Sequence, residues 1–526
     1  MRTPKKWLLA VLAAVATGGL LSACTGPAAS GGDGDAVFVV AIPANPPHFN
    51  MGITTDAAAT FVSRAIYNPL VNLNKDYELV PSLAESWSAN ADSTEFTFNL
   101  VEDATWHDGE PFTSEDVRFY FDEMIGLHPL GAPIAAIYNE TLTPDEHTAV
   151  VRLTAPFAPL VRAMTAHAML PAHLYAGTDM VTNPTNLEPV GTGPYRFESF
   201  TSGESVTVTR NDDYWGEQGG VDRVVYQVMP DANARALAFQ SGEVDLPIGL
   251  PLSQMTDLEG DDRFQFETAV MAEHLYSFFN TRNPVVSDPA VRAALFQAMD
   301  RDALAEKVFL GTGTPSVGPV PNQVTWAIDP SVDYTEEFPF DLDAAGEALD
   351  AAGYPVGADG NRFSLSLSYM SSNPILVGTA ELIKANFAKI GVQLDLVGQE
   401  VAVYADSVFV NHQFDLTLLN LGAFSDPSLG VARAFVCNPE NLAYRNPSGV
   451  CDDRIDAAFA GAAAIADEQA RITAFGDAAR ANAEVLGTAP LISNNQVESY
   501  RADKWDGIEG FNSLDRWDWS SLKPKG

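Results

Sequence analysis

Apolar residues along the chain recur with two periods, and the changes of period mark where elements begin and end. Residues 36–42 are almost wholly apolar and read as a first strand, followed by a Pro-rich turn over 43–50. Ala57, Phe61 and Ala65 then repeat at helical spacing behind Thr54, Thr55 and Asp56, a polar run suited to a helix start. Phe96, Phe98 and Leu100 alternate as a strand. Thr113 predicts a helix cap, with Asp116 three residues on completing an approximate capping box. Gly191-Thr192-Gly193-Pro194 is turn chemistry, since Gly supplies positive φ and Pro fixes it near −65°. Beyond it Tyr195, Phe197 and Phe200, then Val206 and Val208, alternate with polar residues as a hairpin does.

The second half has cleaner periodicity. A strand over 224–228, a helix over 232–240 ended by Gly242 and a strand over 244–246 give a β-α-β order and hence a parallel sheet. A new strand begins within 273–280. Val291, Leu295 and Ala298 share a helix face behind Ser287-Asp288-Pro289; Leu342, Ala345, Leu349 and Ala352 share another, stopped by Gly353. Leu376, Ala380, Ile383, Phe387 and Ile390 form a third, with Gly391 after it. Val392, Leu394 and Leu396 alternate as a strand, as do Phe414, Leu416 and Leu418. Gly311 to Pro315 reads as a loop. An Ala-rich helix pair over 455–486, a returning strand at 491–493 and a tail bearing Trp505, Phe511, Trp517 and Trp519 complete an α/β chain.

Composition narrows the picture. A chain of 526 residues exceeds one core and implies two to four domains or lobes, and 46% hydrophobic content is globular. A net charge of −39 sets it against phosphate backbones and anionic lipid, so nucleic acid is excluded as a partner. Arg2, Lys5 and Lys6 precede an apolar stretch too short for a permanent membrane span, and Leu21-Ser22-Ala23-Cys24 resembles a bacterial lipobox. The expected organisation is a lipoprotein signal peptide over 1–23, lipidation at Cys24 and a flexible tether over 24–35. The remaining cysteines, Cys437 and Cys451, are expected to form a disulfide in an exported chain.

No nucleophile elbow, Walker A loop, His-Glu-x-x-His helix or Cys-x-x-Cys pair occurs, and the eight His are scattered, so neither an enzyme nor a built-in metal site or other cofactor is expected. His107, between carboxylates, is accounted for by turn and cap chemistry.

The wording of several blocks carries more than their spacing. The run Gly191-Thr192-Gly193-Pro194-Tyr195 with Tyr214-Trp215, the segments Phe49-Asn50 and Tyr67-Asn68-Pro69-Leu70-Val71, and Leu83-Ala84-Glu85-Ser86-Trp87 followed by Phe112 and Asp116-Val117 resemble, in collinear order, the extracytoplasmic solute-binding proteins of the dipeptide/oligopeptide family that feed ABC importers. The resemblance implies a two-lobed type II periplasmic-binding-protein-like fold with a hinge and a subdomain inserted in the first lobe. It places lobe I at 36–272 and 490–526, the insert at about 72–188, and lobe II at 273–489. It also implies a monomer that works with ABC permease subunits and a separate ATPase. Tyr195, Tyr214 and Trp215 are expected to be packing residues rather than ligand contacts.

Ligand contacts implied by the family are Thr54, Thr55 and Asp56 after the first strand, and Asn420, Leu421, Gly422, Ala423, Phe424 and Asp426 after a second-lobe strand. In peptide-binding relatives an Asp upstream of an Asp/Glu-Pro pair fixes the peptide amine. Aligned on Asp426-Pro427, that position is Ala423. Either Asp56 or Asp426 then anchors an amine, or the ligand is amine-free, such as an oligosaccharide, another small organic molecule or a metal chelate. An exported hydrolase or chaperone-like protein on the same scaffold is the remote alternative.

Overall fold

The computed structural model describes residues 36–74, 76–507 and 518–526. The signal stretch, Cys24, the tether, Phe511 and Trp517 lie outside the described residues.

The first lobe is built on Val37–Ile42, flanked in parallel by Arg223–Val228 on one side and Leu246–Pro247 on the other. A strand paired on both edges and covered on both faces must be apolar along its length, which is what 36–42 showed. Ala232–Ser241 connects the two flanking strands, and Gly242 at φ 83° closes that helix in the left-handed conformation. The hairpin Tyr195–Thr201 with Ser205–Arg210 extends the sheet antiparallel from Arg223–Val228. A separate antiparallel sheet, in the order Ala84–Ala89, Glu95–Leu100, Thr148–Leu153, Tyr138–Asp145, forms the inserted subdomain.

The Gly-Thr-Gly-Pro turn is a docking point for backbone. Gly193 N–H donates to the Ile66 carbonyl at 2.7 Å, and a Cβ on Gly191 would come within 1.9 Å of the same oxygen. His107 clasps the turn from the other side: its Nδ1 accepts from Gly191 N–H at 3.2 Å and its Nε2 meets the Gly193 carbonyl at 3.0 Å. Burial pushes the His107 pKa down to about 4, so the ring is neutral and serves as a structural clasp.

The second lobe centres on a six-stranded sheet in the order Gly313–Pro315, Thr488–Arg501, Phe264–Phe279, Leu416–Gly422, Phe363–Met370, Val392–Gln399. Gly313–Pro315, expected as loop, is thus a short edge strand templated by Thr488–Arg501. Leu416 and Leu418 face one core with Phe309, Leu376 and Phe387; Leu419, Leu421 and Ala423 face another with Tyr276, Phe435 and Phe475. Cys437 and Cys451 form a disulfide, tying off the loop between them.

Two strands belong to both lobes. Phe264–Phe279 and Thr488–Arg501 pair antiparallel from Phe264 with Arg501 to Phe278 with Thr488, with register breaks between Ala269 and Glu273 and between Leu275 and Tyr276. Phe264 packs with Phe239 and Met255 of the first lobe, whereas Phe279 lies in the second-lobe core. At the far end Trp505 and Trp519 meet Phe38 edge-on at 5.0 and 6.4 Å, closing the first lobe with the last residues of the chain. No helix among the described residues is long and apolar enough to cross a membrane.

Candidate ligand-binding site

A cavity of about 710 Å³ opens where the shared strands pass between the lobes, a size within the usual range for small-molecule sites. Leu250, Leu252 and Met255 of the first lobe face Val308, Phe309 and Ile375 of the second across it. Its floor follows from register. Directly opposed residues of an antiparallel pair point to the same face, and Glu273 is opposite both Gly422 and Asn494. Glu273 and Asn494 both line the cavity, and Asn494 Nδ2 donates to Glu273 Oε2 at 3.3 Å. Glycine keeps this row open, since a Cβ on Gly422 would meet only Glu273 Cγ, at 4.0 Å. Asn420, two residues along, shares the face, and its Oδ1 and that of Asn494 are buried with no hydrogen-bond donor among the described residues. The floor is therefore rich in acceptors: a carboxylate and two amide oxygens.

The sequence-derived candidates divide. Asn420 and Gly422 lie on the floor, but Leu421 and Ala423 point to the opposite face and are core residues, 5% and 0% exposed. Asp426 is not an amine anchor. It is fully buried, both carboxylate oxygens accept from Arg471 Nη2 at 2.8 and 2.7 Å, and Oδ1 also accepts from Ser428 N–H. Asp56 is exposed and caps the helix Ala57–Ile66, accepting from Ala59 N–H at 2.9 Å, while Thr54 Oγ1 accepts from Asp56 N–H. Thr55 is exposed beside it. These three residues form a helix start, and none of them is among the residues lining the cavity over Glu273. Asp426 is thus committed to Arg471 and Asp56 to a helix cap, and neither lines the cavity over Glu273.

Glu273 is the acid that sequence reasoning missed. A signal was present: in the strand it is in phase with Leu275 and Phe279, both core residues, so an acid occupies a position of inward phase.

Phe424 lines a second cavity, of about 430 Å³, between the insert and the second lobe. Beside it Ser425 Oγ donates to the Arg162 carbonyl at 2.6 Å, the Arg162 guanidinium lies 4.1 Å over the Trp326 ring, and Ala158 N–H donates to the Ala463 carbonyl at 2.8 Å. These contacts bring the insert onto the second lobe. Tyr214 and Trp215 line a third cavity, of about 350 Å³, wholly within the first lobe, where Trp215 Nε1 donates to the Thr192 carbonyl. No group of three His, Cys, Asp or Glu side chains suited to a metal ion occurs among the described residues.

Comparison with known proteins gives this architecture its relatives. The model of bacterial extracellular solute-binding proteins, family 5, matches residues 78–441. Protein XP55 of Streptomyces lividans is 28% identical over 512 residues, covering 94% of this chain and 91% of its own. Among solved structures, NikA of Brucella suis in complex with Fe(III)-EDTA superposes with a TM-score of 0.82 at 24% identity, over 93% of this chain and 100% of NikA. The oligopeptide-binding protein AppA of Bacillus subtilis, in complex with a nonapeptide, superposes with a TM-score of 0.74 at 21% identity, over 93% of this chain and 99% of AppA. What the superpositions share is the two-lobed fold. The chain belongs to the family 5 bacterial extracellular solute-binding proteins, the ligand-capturing components of ABC importers.

Proposed function

We propose that the chain captures a peptide in the cavity over Glu273, with the ligand's ammonium group against the Glu273 carboxylate and its neighbouring donors on Asn420 and Asn494. The observation that carries this reading is the acceptor row itself, which supplies what an amine needs and what Ala423, Asp56 and Asp426 do not. An ammonium left in a closed cleft without a carboxylate costs several kcal/mol, so the anchor decides whether a peptide is held. Closure of the lobes about the shared strands would seal the ligand, and the closed receptor would hand it to the permease while a separate subunit hydrolyses ATP. We further propose that Cys24 carries a lipid holding the receptor at the membrane as a monomer, and that it performs no catalysis.

The experiment is calorimetry with a pool of tri- and tetrapeptides, with free and with acetylated N-termini. Charge-assisted hydrogen bonds of about 1.5–3 kcal/mol predict that acetylation lowers affinity about 10- to 100-fold, and that Glu273→Gln lowers affinity for the free-amine pool by as much and abolishes the difference. Acetylated peptides that bind the unaltered protein as tightly as free ones would remove the peptide amine from this site and favour a neutral, hydroxyl-rich ligand.

A further inference from the structure

The insert meets the second lobe in three places, and every partner belongs to the protein itself. Leu73 and Tyr77, in and just after the strand Val71–Leu73, are each 3% exposed and lie in the second-lobe core with Tyr276 and Phe475. Arg162 Nη1 donates to the Tyr77 carbonyl at 3.0 Å while its guanidinium covers the Trp326 ring. The Arg162 carbonyl accepts from Thr165 Oγ1 at 2.8 Å within the insert and from Ser425 Oγ of the second lobe. Trp326 also lies 5.2 Å from Arg471, the partner of Asp426, so Arg162 rests on a surface that a buried ion pair has already fixed. Further along, the bond from Ala158 N–H to the Ala463 carbonyl joins the two bodies through backbone alone.

Tyr77 reaches the crossing between the lobes. The shared strand Phe264–Phe279 loses register between Ala269 and Glu273, and the Tyr77 hydroxyl accepts from the Ala272 N–H at 2.7 Å inside that break. The Ala272 carbonyl accepts from Ala423 N–H, also at 2.7 Å, and the next residue is Glu273 of the cavity floor. Tyr77 holds this post at φ 60°, a backbone conformation that bulky side chains adopt only when their surroundings demand it. The insert is also fused to the first lobe, since its Phe96, Trp106 and Tyr120 share one core with Phe38, Ile66 and Tyr195. A swing of the second lobe about the shared strands must therefore draw Tyr77 out of that lobe's core, Arg162 off Trp326 and Ala158 away from Ala463.

Resting on the reading that the lobes close over the ligand, we infer that Tyr77 and Arg162 are positioning residues that latch the insert onto the second lobe and set how readily the cleft opens. This latch is distinct from closure driven by a ligand. It draws on protein groups alone, so it favours the closed arrangement by the same amount before and after capture, and release of a captured ligand waits on its opening. Its hydroxyl end also holds the strand position beside Glu273, which ties the anchor on the cavity floor to the state of the latch.

The test is residue-resolved hydrogen exchange on the protein without added ligand. The Ala158 amide reports the latch, and the Gly193 amide, bonded to the Ile66 carbonyl within the first lobe, is the internal standard. Tyr77→Phe keeps the ring in the core but strands the Ala272 N–H without its acceptor, which is expected to raise the open fraction, and with it the Ala158 exchange rate, about 10- to 100-fold. Arg162→Gln takes the cation off Trp326 and should speed Ala158 about 10-fold, and Arg162→Lys should recover part of the parent rate. A role of Tyr77 confined to packing would lower the melting temperature and leave Ala158 at the parent rate. The inference is overturned if Ala158 keeps that rate in both Tyr77→Phe and Arg162→Gln, or if Gly193 accelerates in step with it. In a second arm, a fluorescently labelled tripeptide with a free N-terminus should leave Tyr77→Phe faster by the same factor in stopped flow; unchanged release beside faster Ala158 exchange would sink the gating role. The exchange arm uses no ligand, so it can fail while the Glu273 reading stands, and peptides that do not bind would overturn that reading while Ala158 still decides the latch.

Discussion

Replacing Asp426 by Asn separates a structural carboxylate from a ligand-binding one. Asp426 is fully buried and Arg471 nearly so, with side-chain exposures of 0% and 7%. The amide keeps one oxygen to accept from Arg471 or Ser428, so the hydrogen-bond loss is partial. The charge loss is complete, and it leaves a buried guanidinium without its counter-ion. Breaking a buried pair from one side costs about 3–5 kcal/mol. Arg471 keeps the Ala462 carbonyl at 2.8 Å and lies 5.2 Å from the Trp326 ring and 5.6 Å from the Phe475 ring, which places the expected loss near the lower end, about 3 kcal/mol. Unfolding entropy of about 2 cal/mol/K per residue amounts to about 1 kcal/mol/K for a chain of this length, so the melting temperature should fall only by about 3 °C. The assay is therefore paired: differential scanning calorimetry for stability, and calorimetric titration with the peptide pool on the folded variant. Affinity per folded molecule should stay within about twofold, since 3 kcal/mol lost from folding leaves the cavity floor in place. An Asp426→Asn protein that melts like the parent but binds peptides tenfold more weakly would refute the assignment of this carboxylate to Arg471.

Two further outcomes follow from the fold. Gly191→Ala drives a Cβ to 1.9 Å from the Ile66 carbonyl and should cost more than about 3 kcal/mol, whereas Gly203→Ala, at φ 80° with nothing within 4 Å, should cost about 1–2 kcal/mol; equal losses in denaturant titrations would contradict the docking role of the turn. Glu498 is buried in the shared ribbon opposite Glu267, and desolvation raises its pKa to about 8. A proton held in the folded state is then released on unfolding, so this group's contribution is complete at acid pH below the unfolded value, declines by about 1.4 kcal/mol per pH unit above about pH 4, and is gone above about pH 8. Glu498→Gln should flatten that part of the urea-stability profile, and a profile parallel to the parent's would count against a buried neutral acid there.

Much of the frame was legible in the chain, because it rests on local periodicity. The helices around Val291, Leu349 and Ile383 and the alternation of the hairpin from Tyr195 to Val208 needed only the spacing of apolar residues to place. Gly313–Pro315 was not legible. Three residues rich in Gly and Pro carry turn chemistry, and only the neighbouring strand, nearly two hundred positions later, makes them an edge. The surroundings of the candidate residues were hidden for a related reason. Whether Asp426 is available depends on Arg471, 45 residues downstream, and whether Ala423 faces a cavity or a core depends on the register of Leu416–Gly422 against Phe264–Phe279. Glu273 announced itself only by its phase among core residues, a hint whose meaning appears once its neighbours across the sheet are known.

The position of Thr488–Arg501 in the sheet also governs when the molecule can fold. This strand lies between Gly313–Pro315 and Phe264–Phe279, so the sheet of the second lobe stays open until nearly the whole chain is present. The first lobe waits on the same segment, because Trp505 and Trp519 close the face of Phe38. A chain that emerges N-terminus first therefore cannot complete either lobe until its last strand has appeared. Such late, long-range pairing folds slowly and couples completion of both halves to the arrival of about the last forty residues given.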